Sequence, residues 1–118
     1  MIKEITSEDK AKLVAKLADD IKAELIETLD VRAKTSICDY FVVCSGNSDT
    51  HVNSISGRVE EKMKEGGMKP LRSETGSGTG WVLLDFGDVI FHCMLEEKRQ
   101  FYDLETLWHN IQPDPDLI

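Results

Sequence analysis

At 118 residues the chain supports one domain and is long enough to bury a real core. Hydrophobic residues make up 41% and charged residues 31%, ordinary values for a soluble globular protein. Fourteen basic against twenty-two acidic residues give a formal charge of -8, which argues against direct binding of phosphate backbones and suits a basic protein partner.

Residues 1–8 read as a flexible lead-in, polar and without an apolar leader segment. A helix is expected from Ser7, with Ser7 as cap and Glu8 and Asp9 suiting the helix dipole. Leu13, Leu17, Ile21 and Leu25, with Val14 and Ala18 beside them, form its apolar stripe. Leu29–Lys34 reads as a short strand. Asp39–Ser45 is a continuous run of β-branched and aromatic residues, which predicts a central strand buried on both faces. Gly46-Asn47-Ser48-Asp49 closes that strand and opens a second helix, capped by Ser48 or Asp49, with Val52, Ile55, Val59 and Met63 inward and Gly66-Gly67 as the stop.

Lys69–Ser73 can form a short strand, and Glu74–Gly80 is a glycine-rich loop. Trp81–Leu95 then reads as a hairpin turning at Phe86-Gly87, with Asp85 opposite Asp88 and Trp81 opposite His92. Side chains alternate across a strand, so Val82, Leu84, Val89, Phe91, Cys93 and Leu95 fall on one apolar face. The other face mixes Trp81, Leu83, Asp85, Asp88, Ile90, His92 and Met94. Such a face is either covered by a helix or offered to a partner. Glu96–Tyr102 starts a helical turn, and Asp103–Asn110 continues as a short helix with Leu104, Leu107 and Trp108 inward. The domain spans 9–110, and 111–118 reads as a frayed tail. The order of elements predicts an α/β fold, a mixed sheet of five strands flanked by helices, with 40–73 as a candidate crossover unit.

Several chemistries can be weighed on these residues. SGNSD between a strand and a helix has one glycine and no lysine, so it reads as a capped turn rather than a phosphate loop. Asp85 and Asp88 could hold a divalent metal, as paired strand acids do in nucleotidyltransferases. However, a turn separates them, with Asp39 the one third acid in prospect. Cys38, Cys44 and Cys93, with His51, His92 and His109, match no nucleophile or zinc pattern. The odd cysteine count without a leader suits free thiols in a reducing, cytoplasmic compartment. No apolar run approaches the roughly 20 residues of a membrane span. Trp81, Tyr40 and Tyr102 are either core aromatics or interface anchors.

Three motifs in order, DYFVVCSGNSDTHVNSIS at 39–56, WVLLDFGDVIFH at 81–92 and FYDLETLW at 101–108, resemble the ribosomal silencing factor family (RsfS, also Iojap or YbeB). The resemblance covers nearly the whole domain. It departs from the family pattern after Glu74, where Thr75 and Gly76 stand in place of an immediate glycine. It implies a nucleotidyltransferase-like fold without that family's catalytic signature, and no cofactor. It implies a protein that binds the fourteenth protein of the large ribosomal subunit and blocks subunit joining, with little direct nucleic-acid contact and a tendency to homodimerise. Relatives in organelles are linked to ribosome assembly. On this reading Trp81, Leu83 and Asp85 contact the partner, with Asp88, Tyr40, Glu74 and Tyr102 near the rim. The alternative is a metal-dependent nucleotidyltransferase using Asp85 and Asp88.

Overall fold

The computed structural model describes residues 5–74 and 79–117. Helix α1 covers Ser7–Asp20, and its cap is Thr6, whose hydroxyl accepts the Asp9 N–H at 3.0 Å. Ser7 is therefore the first helical residue rather than the cap. The helix is shorter than its apolar stripe suggests. Ala23 N–H bonds the Ala18 carbonyl at 3.1 Å and Lys22 N–H bonds Asp19 at 2.9 Å, with Lys22 left-handed at φ 58°. That is a Schellman stop with lysine in the position glycine usually holds. Leu25 consequently lies beyond the helix, 66% exposed in the first strand.

Strand β1 is Glu24–Asp30, so the strand expected at 29–34 starts five residues earlier and ends before a turn at Val31–Thr35, closed by Lys34 and Thr35 N–H bonds to the Val31 carbonyl. Strand β2, Tyr40–Gly46, is buried along its whole length, as a both-faces-apolar run requires. Helix α2 is Asp49–Glu65, and the Ser48 hydroxyl caps it by accepting the His51 N–H at 3.1 Å. Gly67, at φ 81°, stops it through Met68 N–H to the Met63 carbonyl at 2.8 Å. Strands β3 (Arg72–Glu74), β4 (Trp81–Asp85) and β5 (Val89–Leu95) follow, then α3 (Glu96–Tyr102) and α4 (Leu104–Asn110). A 3-10 turn at Pro115–Leu117 follows, and Asp114 N–H bonds the Ala33 carbonyl at 2.6 Å.

The sheet order is β1-β2-β5-β4-β3, parallel between β2 and β5 and antiparallel elsewhere. The segment 40–73 therefore does not place β2 beside β3. It carries the chain across the sheet, and the hairpin returns to pair with β2.

The hairpin register is shifted from expectation. Trp81 faces Met94, Leu83 faces His92, Leu84 faces Phe91 and Asp85 faces Ile90. Phe86 N–H bonds the Val89 carbonyl at 2.9 Å, so the loop is Gly87-Asp88 rather than Phe86-Gly87. Two forces select it. Phe86 is an aromatic residue only 6% exposed, joined to the core instead of standing at a turn. Gly87 takes φ 92°, the first-position requirement of a II′-type turn. Moving the loop by one residue slides each pairing by two, and a slide of two leaves each side chain on its face.

Both faces of the sheet thus divide as the alternation predicts. On one side α1 (Ala11, Val14, Leu17, Ala18) and α2 (Val52, Ile55, Val59, Met63) pack on Val42, Cys44, Val82, Leu84 and Phe91. On the other side Phe41, Val43, Ile90 and Met94 are buried with Val31 and Cys38, partly under Leu104 and Trp108 of α4. Leu107 points away from this second core and is 54% exposed, against the inward orientation expected of it.

Candidate docking face

The mixed face of the hairpin is both covered and open. At its β2 and β5 side, α4 closes it: the Trp108 ring lies 4.9 Å from that of Phe41. Towards β4 and β3 the cover ends. Trp81 and Leu83 stay half-buried there, and Glu74, opposite Leu83, is exposed. Glu74, Thr79, Trp81 and Leu83 line a concavity of about 390 Å³. The glycine-rich loop beside it lies, for 75–78, outside the described residues.

Trp81 is held from beneath. Its Nε1–H donates to Nδ1 of His92 at 3.1 Å, a diagonal contact across β4 and β5. His92 is 6% exposed and its ring meets Phe41 at 5.3 Å. Burial lowers the His92 pKa to about 4, so the imidazole is neutral at pH 7 and its Nδ1 is free to accept from the indole. From above, the Tyr102 ring lies 4.8 Å from Trp81, and Phe101 meets Tyr102 edge-on at 5.0 Å. The result is a continuous aromatic series, His92, Trp81, Tyr102, Phe101, running from the core to solvent. Phe101 is 81% exposed. Sequence reasoning did not single it out, although FYDLETLW contains it. The available signal was two adjacent aromatics on a helix of seven residues, which cannot bury both.

A buried ion pair positions this aromatic pair. Arg99, 7% exposed, donates from Nε to Glu105 Oε1 at 2.7 Å and from a terminal nitrogen to Ser45 Oγ at 3.0 Å. It ties α3 and α4 to β2. Between the two helices Asp103, at φ 46°, ends one and caps the other, accepting Thr106 N–H at 3.3 Å.

The remaining sequence-predicted residues lie apart from this cluster. Asp85 shares the β4 strand with Trp81 and Leu83, but its Oδ1 accepts the Gly87 N–H at 2.8 Å and orders the turn. Asp88 is bound by Lys10 of α1 at 2.6 Å. Tyr40 packs on the opposite side of the sheet, in the core under α1, with the Arg32 guanidinium 5.2 Å over its ring. The structure thus brings Trp81, Leu83, Glu74 and Tyr102 together, sets Asp85 further along the strand, and separates Asp88 and Tyr40 from them.

Asp85 and Asp88 are engaged by Gly87 and Lys10, and among the described residues no group of three His, Cys, Asp or Glu is placed to hold a metal ion. Burial and the neighbouring Asp39, Asp85 and Asp88 push the Cys38 thiol up to about 11, and hydrogen bonding to Cys93 with burial pushes Cys44 upward as well. Neither is a thiolate at neutral pH. No helix among the described residues is long and apolar enough to cross a membrane.

The fold defines an α/β domain with a five-stranded mixed sheet flanked by helices. Residues 4–117 match the family model described as "Ribosomal silencing factor during starvation", and the chain belongs to that family. It is 37% identical to the ribosomal silencing factor RsfS of Bacillus subtilis, over 82% of each chain. It is 36% identical to the chloroplastic protein Iojap of Zea mays, over 85% of this chain and 43% of that one. A crystal structure from Chromobacterium violaceum superposes with a TM-score of 0.86 at 34% identity, covering 93% of this chain and 92% of that one. A structure from Bacillus halodurans superposes with a TM-score of 0.77 at 33% identity, over 86% and 94%.

Proposed function

We propose that this protein docks on the large ribosomal subunit through the face centred on Trp81, and by its bulk there blocks joining of the small subunit and represses translation. The observation that carries the reading is the aromatic series ending in an exposed Phe101 beside the Trp81–Leu83 concavity. Aromatic side chains anchored on one side and open on the other are what a tight protein contact uses as its centre. Family membership supplies the ribosome. The charge of -8 favours a basic protein over bare RNA, and the family resemblance implies that this partner is the fourteenth protein of the large subunit. Trp81 and Leu83 form the centre, with Glu74, Tyr102 and Phe101 around them and Asp85 at the margin. Asp88 and Tyr40, turned toward α1, hold the scaffold. If a second copy of the chain pairs through the same aromatics, homodimerisation and docking exclude one another.

Co-sedimentation with isolated large subunits tests the face. Phe101→Ala removes an exposed ring and leaves the core intact, and Leu83→Ala removes an apolar wall of the concavity. Each is expected to weaken binding by about 1–2 kcal/mol, roughly five- to thirtyfold. If both variants sediment with subunits as completely as the parent across the titration, the docking face lies elsewhere.

A further inference from the structure

We propose a second docking site, for an extended basic peptide segment, along the free edge of β1 and the groove that α3 and α4 leave beside it. Strand β1 terminates the sheet, so among the described residues one side of its backbone has no strand partner. Two adjoining concavities follow that edge, of about 370 and 200 Å³, and both are lined by Glu105. Glu96, Arg99 and Gln100, at i, i+3 and i+4 of α3, with Asp103 at its end, form the far wall of the first.

The lining is acidic. Glu27, Asp30, Glu96, Asp103 and Glu105 stand against two cations, Arg99 and Lys34. Glu105 is paired with Arg99 and Asp30 with Arg32, which leaves Glu27, Glu96 and Asp103 as the lining acids with no cationic partner among the described residues. Both cations are occupied: Arg99 by Glu105 and Ser45, and Lys34 by the carbonyls of Trp108 at 2.7 Å and His109 at 3.2 Å. Leu25, 66% exposed at the start of the strand, adds an apolar contact. The regular part of β1 is Glu27–Asp30, beyond the bulge at Glu24–Glu27 where Leu25 takes φ 48° and Arg99 binds the Glu24 carbonyl. An incoming strand that pairs with that part directs every second side chain over this groove, so a segment with lysine or arginine at alternate positions is complementary to it. Charged edges ordinarily guard a sheet against pairing with itself. Here the same carboxylates repel a second copy of this acidic chain and attract a cationic strand, which selects the occupant. The site lies on a different face of α3 from Phe101 and Tyr102, and it does not depend on the aromatic docking face.

A ten-residue blocked peptide alternating lysine and valine, and its glutamate counterpart, provide the probe, read by fluorescence anisotropy and amide hydrogen exchange on the whole chain. The lysine peptide is expected to bind, to slow exchange of amides within Glu24–Asp30, and to weaken about fivefold with Glu27→Lys, whose side chain is exposed. Phe101→Ala should bind it unchanged, and the glutamate peptide should not bind. The proposal is overturned by absence of binding, by unaltered β1 exchange in the complex, by full affinity in Glu27→Lys, or by a loss of affinity that follows Phe101 instead.

Discussion

His92 carries a cost that its neighbours fix. It is 6% exposed, lies under Trp81 and beside Phe41, and its pKa is lowered to about 4 by burial. In the unfolded chain it titrates near 6.5. Below that pH the unfolded state binds a proton that the folded state refuses, so stability is constant above about 6.5 and declines as pH falls toward 4. The decline amounts to about 2 kcal/mol between pH 7 and pH 5. Asp30, whose carboxylate is held down by Arg32, acts in a lower window, below its ordinary 3.8, and does not obscure this one. Urea unfolding at the two pH values should show the decrease in the parent and little of it in His92→Gln, which keeps an acceptor for the indole. An equal decrease in the variant would assign the effect to other groups. The position of His92 on the mixed face is readable from strand alternation. Its burial is not, because that depends on α4 folding back over β2 and β5, and a local pattern of residues contains no such information.

The ends of elements show most clearly what local sequence can and cannot tell. Both α1 and α2 stop with the same Schellman hydrogen bonds, but α2 does so with Gly67 and α1 with Lys22. Glycine announces the left-handed residue. Lysine does not, and the stripe Leu13, Leu17, Ile21, Leu25 keeps helical spacing past the true end. Helix and strand boundaries from 20 to 34 were accordingly displaced together. Lysine pays a steric penalty in that conformation that glycine avoids, so Lys22→Gly is expected to raise stability by about 0.5–1 kcal/mol, seen as a higher urea midpoint at an unchanged slope. A lower midpoint would show that the lysine side chain, not the backbone, sets this turn. The hairpin teaches the complementary lesson. Its faces were legible because alternation survives a two-residue slide, whereas the loop position was decided by burial of Phe86.

For the molecule as a whole, the division of labour follows the two faces of one sheet. Helices α1 and α2 seal one face and supply the larger core. Helices α3 and α4 cover half of the other and leave the β4 side open, so the proposed docking face lies where coverage of the sheet is incomplete. A domain about 42 × 41 × 21 Å across is broad enough to obstruct a contact between subunits without any reacting group. The fold class, the buried central strand and the placing of Trp81 on the mixed face of the hairpin were visible in the sequence. The assembly of Trp81 with Tyr102 and Phe101 joins residues some 20 positions apart, with α3 anchored against Ser45 of β2 by Arg99. The most direct measurement is light scattering of large and small ribosomal subunits mixed after the large subunits have been incubated with this protein. The account predicts that the parent chain suppresses the rise in scattering in a dose-dependent way and that Phe101→Ala and Leu83→Ala need about tenfold more protein for the same suppression. Undiminished joining at saturating parent protein would contradict it.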